Sequence, residues 1–109
     1  LPPNSSDFGS FLAGLIDSDG HIYRIPQLVI CFHKNDIKLA YFFKKIIGFG
    51  TVNKRKQKAA YRYFSSHRFG LKKVALLLVQ KLWHPEKIQQ YNERLIDSGV
   101  LDLDIEYSL

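Results

Sequence analysis

The sequence holds a single cysteine, Cys31, and no methionine, not even at position 1. One thiol excludes an internal disulfide and a cysteine-rich zinc site. Its neighbours Val29, Ile30 and Phe32 read as a buried strand, so Cys31 is expected in the core as a small apolar residue rather than a nucleophile. The absent first methionine reads as a processed product or a piece of a longer reading frame. No apolar run reaches the roughly 20 residues of a membrane-spanning helix, and no segment resembles a signal peptide. The most informative absence is of acid. Between Asp36 and Glu86 there is none, while that stretch carries twelve Lys or Arg. Residues 98–109 run the other way, with Asp102, Asp104 and Glu106 and no base. Solvated surfaces normally mix signs, so a one-sign middle in a chain of net charge +6 points to a polyanion. No basic helix has the wide apolar face that a membrane surface selects, which leaves nucleic acid as the expected partner and no membrane.

What is present suffices for one domain. The 109 residues are 46% apolar, with eight Phe and six Tyr to fill a core. After a lead-in over residues 1–7, the spacing predicts a helix over 8–19 that stops at Gly20. Strand follows over 22–33, broken by Pro26 into the arms of a cramped hairpin. Asn35 or Asp36 caps a second helix in which Leu39, Phe42, Phe43 and Ile46 share a face, and Gly48 ends it. Residues 49–66 form a second strand pair around the basic loop 54–58, with Tyr61 and Tyr63 packed inward. A third helix from near Gly70 buries Leu71, Val74, Ala75, Leu78 and Leu82. His84-Pro85-Glu86 opens a fourth, in which Ile88, Tyr91, Leu95 and Ile96 face inward and Gly99 stops the run. Residues 100–109 are expected as a tail or connector. The class is α+β in the order αββαββα(α), a four-stranded antiparallel sheet covered by helices on one face, with the cations expected near the other.

Residues 12–20 read Leu-Ala-Gly-Leu-Ile-Asp-Ser-Asp-Gly. Ser10, Ala13, Gly14 and Asp17 recur at helical spacing as a narrow strip of small side chains that a second helix could approach closely. Asp17 and Asp19, two apart, face nearly opposite ways. Asp17 is expected as a structural polar contact where the helices pair. Asp19 stands at the helix C-terminus, where the macrodipole disfavours an anion. If two such helices meet, two carboxylates converge, an arrangement stabilised by divalent cations.

The nonapeptide resembles the signature of the LAGLIDADG homing endonucleases, differing only at Ser18, and the resemblance runs on through the element order and Gly48-x-Gly50. It is most similar to the first half of intron-encoded fungal mitochondrial endonucleases and maturases. The resemblance implies a single LAGLIDADG domain over 1–109 that pairs with a second such domain, in the same or another chain. It implies site-specific cleavage of double-stranded DNA in intron homing by Mg²⁺-assisted phosphodiester hydrolysis. Asp19 and the carbonyl of Ser18 would be metal ligands. Lys87, four residues before Tyr91, would stabilise charge near the scissile phosphate. His33 would organise water, with Phe32 the alternative if the count runs back from Gly48. Paired strands suit the major groove. In the register that the resemblance implies, Thr51, Asn53 and Arg55, joined by Arg62, would read bases, Lys54, Lys56 and Lys58 would hold phosphate, and His21, Tyr23 and Arg24 would contribute from the first hairpin. The resemblance also implies a mitochondrial origin. Its alternatives are a group I intron maturase, with intron RNA as partner, and a non-cleaving DNA-binding protein of the same fold.

Overall fold

The computed structural model describes residues 5–56 and 59–103. Helix α1 (Ser5–Asp19) leads directly into strand β1 (Gly20–Tyr23), a turn over 24–26, and β2 (Gln27–His33). A 3₁₀ turn (Lys34–Asp36) precedes α2 (Ile37–Ile47), which is followed by β3 (Thr51–Lys54), β4 (Ala60–Ser65) and α3 (Arg68–Leu77). Helix α4 (Pro85–Gln90) runs on without a break into a π-helical turn, Tyr91–Ile96. The expected α+β architecture is thus the one observed. The strands form one antiparallel sheet in the order β1-β2-β4-β3, with β1 and β3 at its edges.

Directly opposed residues in an antiparallel sheet point to the same side. One side carries Ile22, Leu28, Ile30 and Phe32, all buried, with Tyr63 opposite Ile30. This face meets Phe8, Leu12 and Ile16 of α1, Ala40, Phe43 and Ile47 of α2, Val74 and Ala75 of α3, and Tyr91 and Leu95 beyond α4. The Phe43 ring sits 5.2 Å from that of Phe8 and 5.9 Å from that of Phe32, which ties both helices to the middle of the sheet. Gly48 ends α2 at φ +85°, its N–H donating to the Lys44 carbonyl. Gly50 sits at φ +120°, and a Cβ there would lie 2.4 Å from the Tyr63 ring. Tyr63 is fully buried and its hydroxyl donates to the Phe49 carbonyl, so ring and glycine fit as one unit. Burial pushes its phenol up to about 12.

Several boundaries differ from the expectations. Helix α1 begins at Ser5, so only residues 1–4 of the lead-in lie outside the described residues. Helix α3 starts two residues before Gly70, because His67 Nδ1 accepts from the Phe69 N–H and caps it. Histidine is not an ordinary cap, and the sequence signal was weak there. Leu101 is fully buried and Leu103 packs on the core, so the segment from 100 is not a tail as far as Leu103. Residues 104–109 lie outside the described residues. Cys31 is half-buried, not in the core. The run Leu28–Phe32 is apolar on both sides of the strand, so composition alone could not show that Val29 and Cys31 face away from the helices.

Candidate nucleic-acid face and metal-binding carboxylate

The register places His21 and Tyr23 of β1, Gln27, Val29, Cys31 and His33 of β2, Arg62 and Phe64 of β4, and Thr51 and Asn53 of β3 on the sheet's uncovered side. Asn53 is directly opposite Arg62, and Thr51 is opposite Phe64. The Arg62 guanidinium lies 5.3 Å from the centre of the Phe64 ring, which holds the long side chain along the sheet. Just beyond β3, the Arg55 N–H donates to the Ala60 carbonyl and extends the ladder by one rung. The Arg55 guanidinium reaches back to within 4.0 Å of Cys31 Sγ. Four expected reading residues, Thr51, Asn53, Arg55 and Arg62, are therefore brought together on one face. Phe64 and Gln27 join them unanticipated, although strict alternation from Arg62 along β4 and from His33 along β2 would have found both.

The phosphate-holding set is less coherent. Lys54 pairs with Tyr61, on the side away from Asn53, and Lys56 is exposed in the following turn. Lys58 lies outside the described residues. The acid-free stretch does not map onto one surface. Lys38, Lys44 and Lys45 sit on α2, Arg68, Lys72 and Lys73 on α3, and Lys81 in the turn after it. Lys73 donates to the Ile46 carbonyl (2.6 Å) and so fastens α3 to α2. The expectation that the cations lie near the open face thus holds only in part. Arg24, at the hairpin turn, is exposed and 3.9 Å from Glu93.

Asp19 is the last residue of α1, with its carboxylate in solvent. Its partner is the Ser18 hydroxyl, 3.1 Å from Oδ2, a hydroxyl that also lies within reach of the Gly14 carbonyl. Among the described residues Asp19 forms no ion pair. A cleft of about 360 Å³ opens beside it, lined also by Leu15, Cys31, Phe32, His33, Asp36 and Leu39. His33 and Phe32, the two alternatives for the water-organising position, both border this cleft. His33 is exposed on the open face, and its Nδ1 accepts from the Asn35 N–H. Lys87 is half-buried, with its ammonium 2.7 Å from the Gly20 carbonyl, one residue past Asp19. Tyr91, its expected aromatic companion, is a core residue that donates to the Ala75 carbonyl (2.7 Å).

The free edge of β1 carries an arrangement the sequence did not reveal. Gln90 Oε1 accepts from the Ile22 N–H (2.9 Å), and Arg94 donates to the Ile22 carbonyl. With Lys87 on Gly20, three side chains spaced i, i+3 and i+7 satisfy the edge that no strand covers. Gln90 Nε2 and Arg94 Nη1 each lie 3.3 Å from a ring nitrogen of His21. Burial, then the charges of Lys87 and Arg94, hold the His21 imidazole below its ordinary pKa, against a smaller opposing pull from Glu86. Its ring centre is 4.3 Å from that of Tyr23. The only sequence trace of this clamp is three polar residues at helical spacing beside an apolar stripe.

On α1, the expected strip of small residues divides. Ser10 and Gly14 are exposed, and a Cβ on Gly14 would meet nothing within 4 Å. Ala13 is 1% exposed and belongs to the domain's own core. Asp17 turns toward α4, where its carboxylate oxygens lie 3.3 Å from the N–H groups of Trp83 and His84. That is a structural contact within this chain, to the segment that opens α4. The exposed strip is instead Ser10, Phe11, Gly14 and Ser18, because the core takes the positions one residue over. An acidic group at the start of α4 also meets the positive end of its dipole. Asp17→Ala should therefore cost about 1–3 kcal/mol, read as a lower denaturation midpoint with an unchanged m-value. A midpoint within error of the parent would remove this capping role.

No family model matches the chain. An uncharacterized cox1 intron-2 37.2 kDa protein of Schizosaccharomyces pombe is 45% identical over 89 residues, which are 82% of this chain. The chain spans only 28% of that relative's length. Among solved structures, the homing endonuclease I-CvuI in complex with the I-CreI target superposes with a TM-score of 0.69 at 19% identity, covering 90% of this chain and 69% of the other. The homing endonuclease I-TnaI gives 0.66 at 25% identity, covering 81% and 69%. A double mutant of I-SmaMI gives 0.70 at 16% identity, covering 92% and 40%.

Proposed function

We propose that this chain, which has the LAGLIDADG homing-endonuclease fold and carries the motif at residues 12–20, is one half of a site-specific DNA endonuclease that uses a divalent cation. The observation that carries the reading is the position of Asp19. It is a solvent-facing carboxylate without an ion-pair partner among the described residues, at the end of a helix whose outer strip is bare, beside a sheet face set with Asn53, Arg55 and Arg62.

The donor chemistry fits a hard cation. A carboxylate and a main-chain carbonyl, from Asp19 and Ser18, are the oxygen ligands that Mg²⁺ selects. Among the described residues no group of three or more His, Cys, Asp or Glu could hold a metal, and Asp19 with the Ser18 carbonyl is read as part of a site that further ligands complete. The rest comes from a second domain of the same fold, in the same or another chain, packed against Ser10 and Gly14. When bound, the metal supplies a nucleophilic water and neutralises charge on the phosphate. The protein's own contribution is positional. Lys87 fixes the start of β1 through Gly20 and places a positive charge one residue beyond Asp19. His33 faces the cleft beside Asp19 and can orient water there. Thr51, Asn53, Arg55 and Arg62 read base edges across the open face, while Lys54 and Lys56 hold backbone phosphate from the strand end and turn, a role that Lys58 shares. His21, Tyr23 and Arg24 extend the contact along β1.

The structural neighbours include complexes with target DNA in the presence of Mg or Ca, the DNA being uncleaved in the Mg complex, which supports binding of DNA alongside a divalent cation. The intron-encoded relative supports a mitochondrial origin. The test is incubation of the chain with duplex DNA spanning a cox1 intron-insertion junction. Double-strand cleavage is expected in Mg²⁺, with binding but no cleavage in Ca²⁺. Tight binding in Ca²⁺ with intact DNA in Mg²⁺, by a chain that sedimentation shows paired with a second such domain, would leave a non-cleaving DNA-binding protein instead.

A second reading, an RNA-splicing cofactor, is favoured by the back of the domain. Cations on α2 and α3 alternate there with exposed Tyr41 and Phe69, a combination suited to phosphate and unstacked bases. Retention of group I intron RNA in the presence of excess duplex DNA would support it, and displacement by the duplex would remove it.

A further inference from the structure

The clamp on β1 is short of acceptors. Gln90 Oε1 is committed to the Ile22 N–H, which fixes the amide so that Nε2, a donor only, faces His21 Nδ1 at 3.3 Å. On the other side of the ring, Arg94 Nη1, also a donor only, stands 3.3 Å from Nε2. A neutral imidazole has one lone pair and one N–H. It can therefore accept from Gln90 or from Arg94, but not from both. Whichever tautomer forms, two N–H groups are left pointing at one another. A second orphan lies beside them. Arg94 Nε is buried and finds no partner, the one such side-chain atom among the described residues. Leaving a donor unpaired in a partly desolvated place is costly, and an oxygen anion at the rim of the cluster relieves the donor surplus around the His21 ring, while the enclosed Arg94 Nε stays out of its reach.

The surroundings say which anion. His21 is paired with Val29, so its ring lies on the open face of the sheet, two residues past Asp19. Lys87 contributes a further positive charge from two turns earlier along the same helical run. We propose that His21, Gln90 and Arg94 form an oxyanion site at the edge of β1, filled by a phosphodiester oxygen of nucleic acid lying across the open face. This rests on the proposed DNA-binding role of that face. Gln90 and Arg94 thereby become phosphate-site residues in addition to holding Ile22.

Inorganic phosphate and duplex DNA distinguish the two sources of such an oxygen. In ¹⁵N spectra of the whole chain at fixed pH, the His21 ring nitrogens should shift on adding duplex in Ca²⁺. A saturable shift with inorganic phosphate as well would show that the site takes the free anion. No shift with either probe overturns the proposal. If the chain binds no duplex at all, the reading of the open face fails, while the phosphate titration still decides the site. Salt dependence separates a phosphate contact from a purely structural clamp. Arg94→Gln should lower the slope of log K against log salt by about 0.9, one phosphate contact, equally on target and random duplex. Arg94→Lys should restore it. A slope unchanged in a folded Arg94→Gln overturns the proposal, because a structural clamp alters melting and not the slope. Should Arg94→Gln fail to fold, His21→Ala leaves the Arg94–Ile22 bond in place. It should weaken binding several-fold on every sequence, and unchanged affinity counts against the site.

Discussion

Asp19→Asn is expected to leave duplex binding in Ca²⁺ intact and to reduce cleavage in Mg²⁺ by at least about a hundredfold. The lower bound comes from what is lost when groups merely supporting a metal ligand are removed, and a direct ligand should exceed it. The helix supplies the reason. At its last residue, α1 presents unsatisfied carbonyls and a partial negative charge, so a carboxylate there is mildly unfavourable before any partner arrives. Bringing a second such carboxylate alongside raises the penalty. Removing the charge should therefore stabilise the folded chain by about 0.3–1 kcal/mol, while any paired form gains more. A stabilised protein with intact binding and no cleavage is the signature of a residue kept for chemistry. The substituted amide keeps the shape of the carboxylate and its contact with the Ser18 hydroxyl, so misfolding does not explain the loss. Cleavage within a few-fold of the parent would end the proposal that Asp19 is a metal ligand.

The residues that made this site legible lie close together in sequence. Asp19 as the exposed end of the helix follows from a 3.6-residue period and one stop signal. Thr51, Asn53 and Arg62 follow from a two-residue period once the strands are located. What stayed hidden acts over distance. Gln90 and Arg94 meet β1 across some seventy positions, and nothing local marks a helix whose polar side chains will finish a sheet edge. Asp17 was expected at a helix pair, but its partners are main-chain N–H groups of residues 83 and 84. Ala13 was expected beside it because small residues look alike to a pattern, whether they admit a second helix or a neighbouring part of the same core. Charge misled in a different way. Twelve cations without acid suggested one surface, yet the chain passes through two helices within that stretch and turns most of them away from the sheet. Composition reports how much charge a segment carries; the element's period decides where it points.

Gly14 should separate pairing from folding more sharply than any other position. A Cβ there would meet nothing within 4 Å beyond the backbone of its own helix, so packing within the domain does not require glycine. Glycine inside a helix costs about 0.5–1 kcal/mol relative to alanine. Gly14→Gln should therefore raise the melting temperature of the isolated domain. It should at the same time abolish cleavage, because a long side chain at the centre of the exposed strip holds a second helix away and keeps Asp19 from its mate. The neighbouring motif glycine behaves in the opposite manner. A Cβ on Gly20 would lie 2.7 Å from the Ile16 main chain, so Gly20→Ala should lower stability through the fold itself. Thermal unfolding, sedimentation and cleavage measured on both variants distinguish the two roles. Gly14→Gln that is more stable and still cleaves within a few-fold would show that no helix packs on this strip. Gly14→Gln that unfolds would mean the strip is already covered within this chain. The predicted result, a firmer domain with no nuclease activity, requires a partner helix at this position and accounts for a glycine that the single chain does not need.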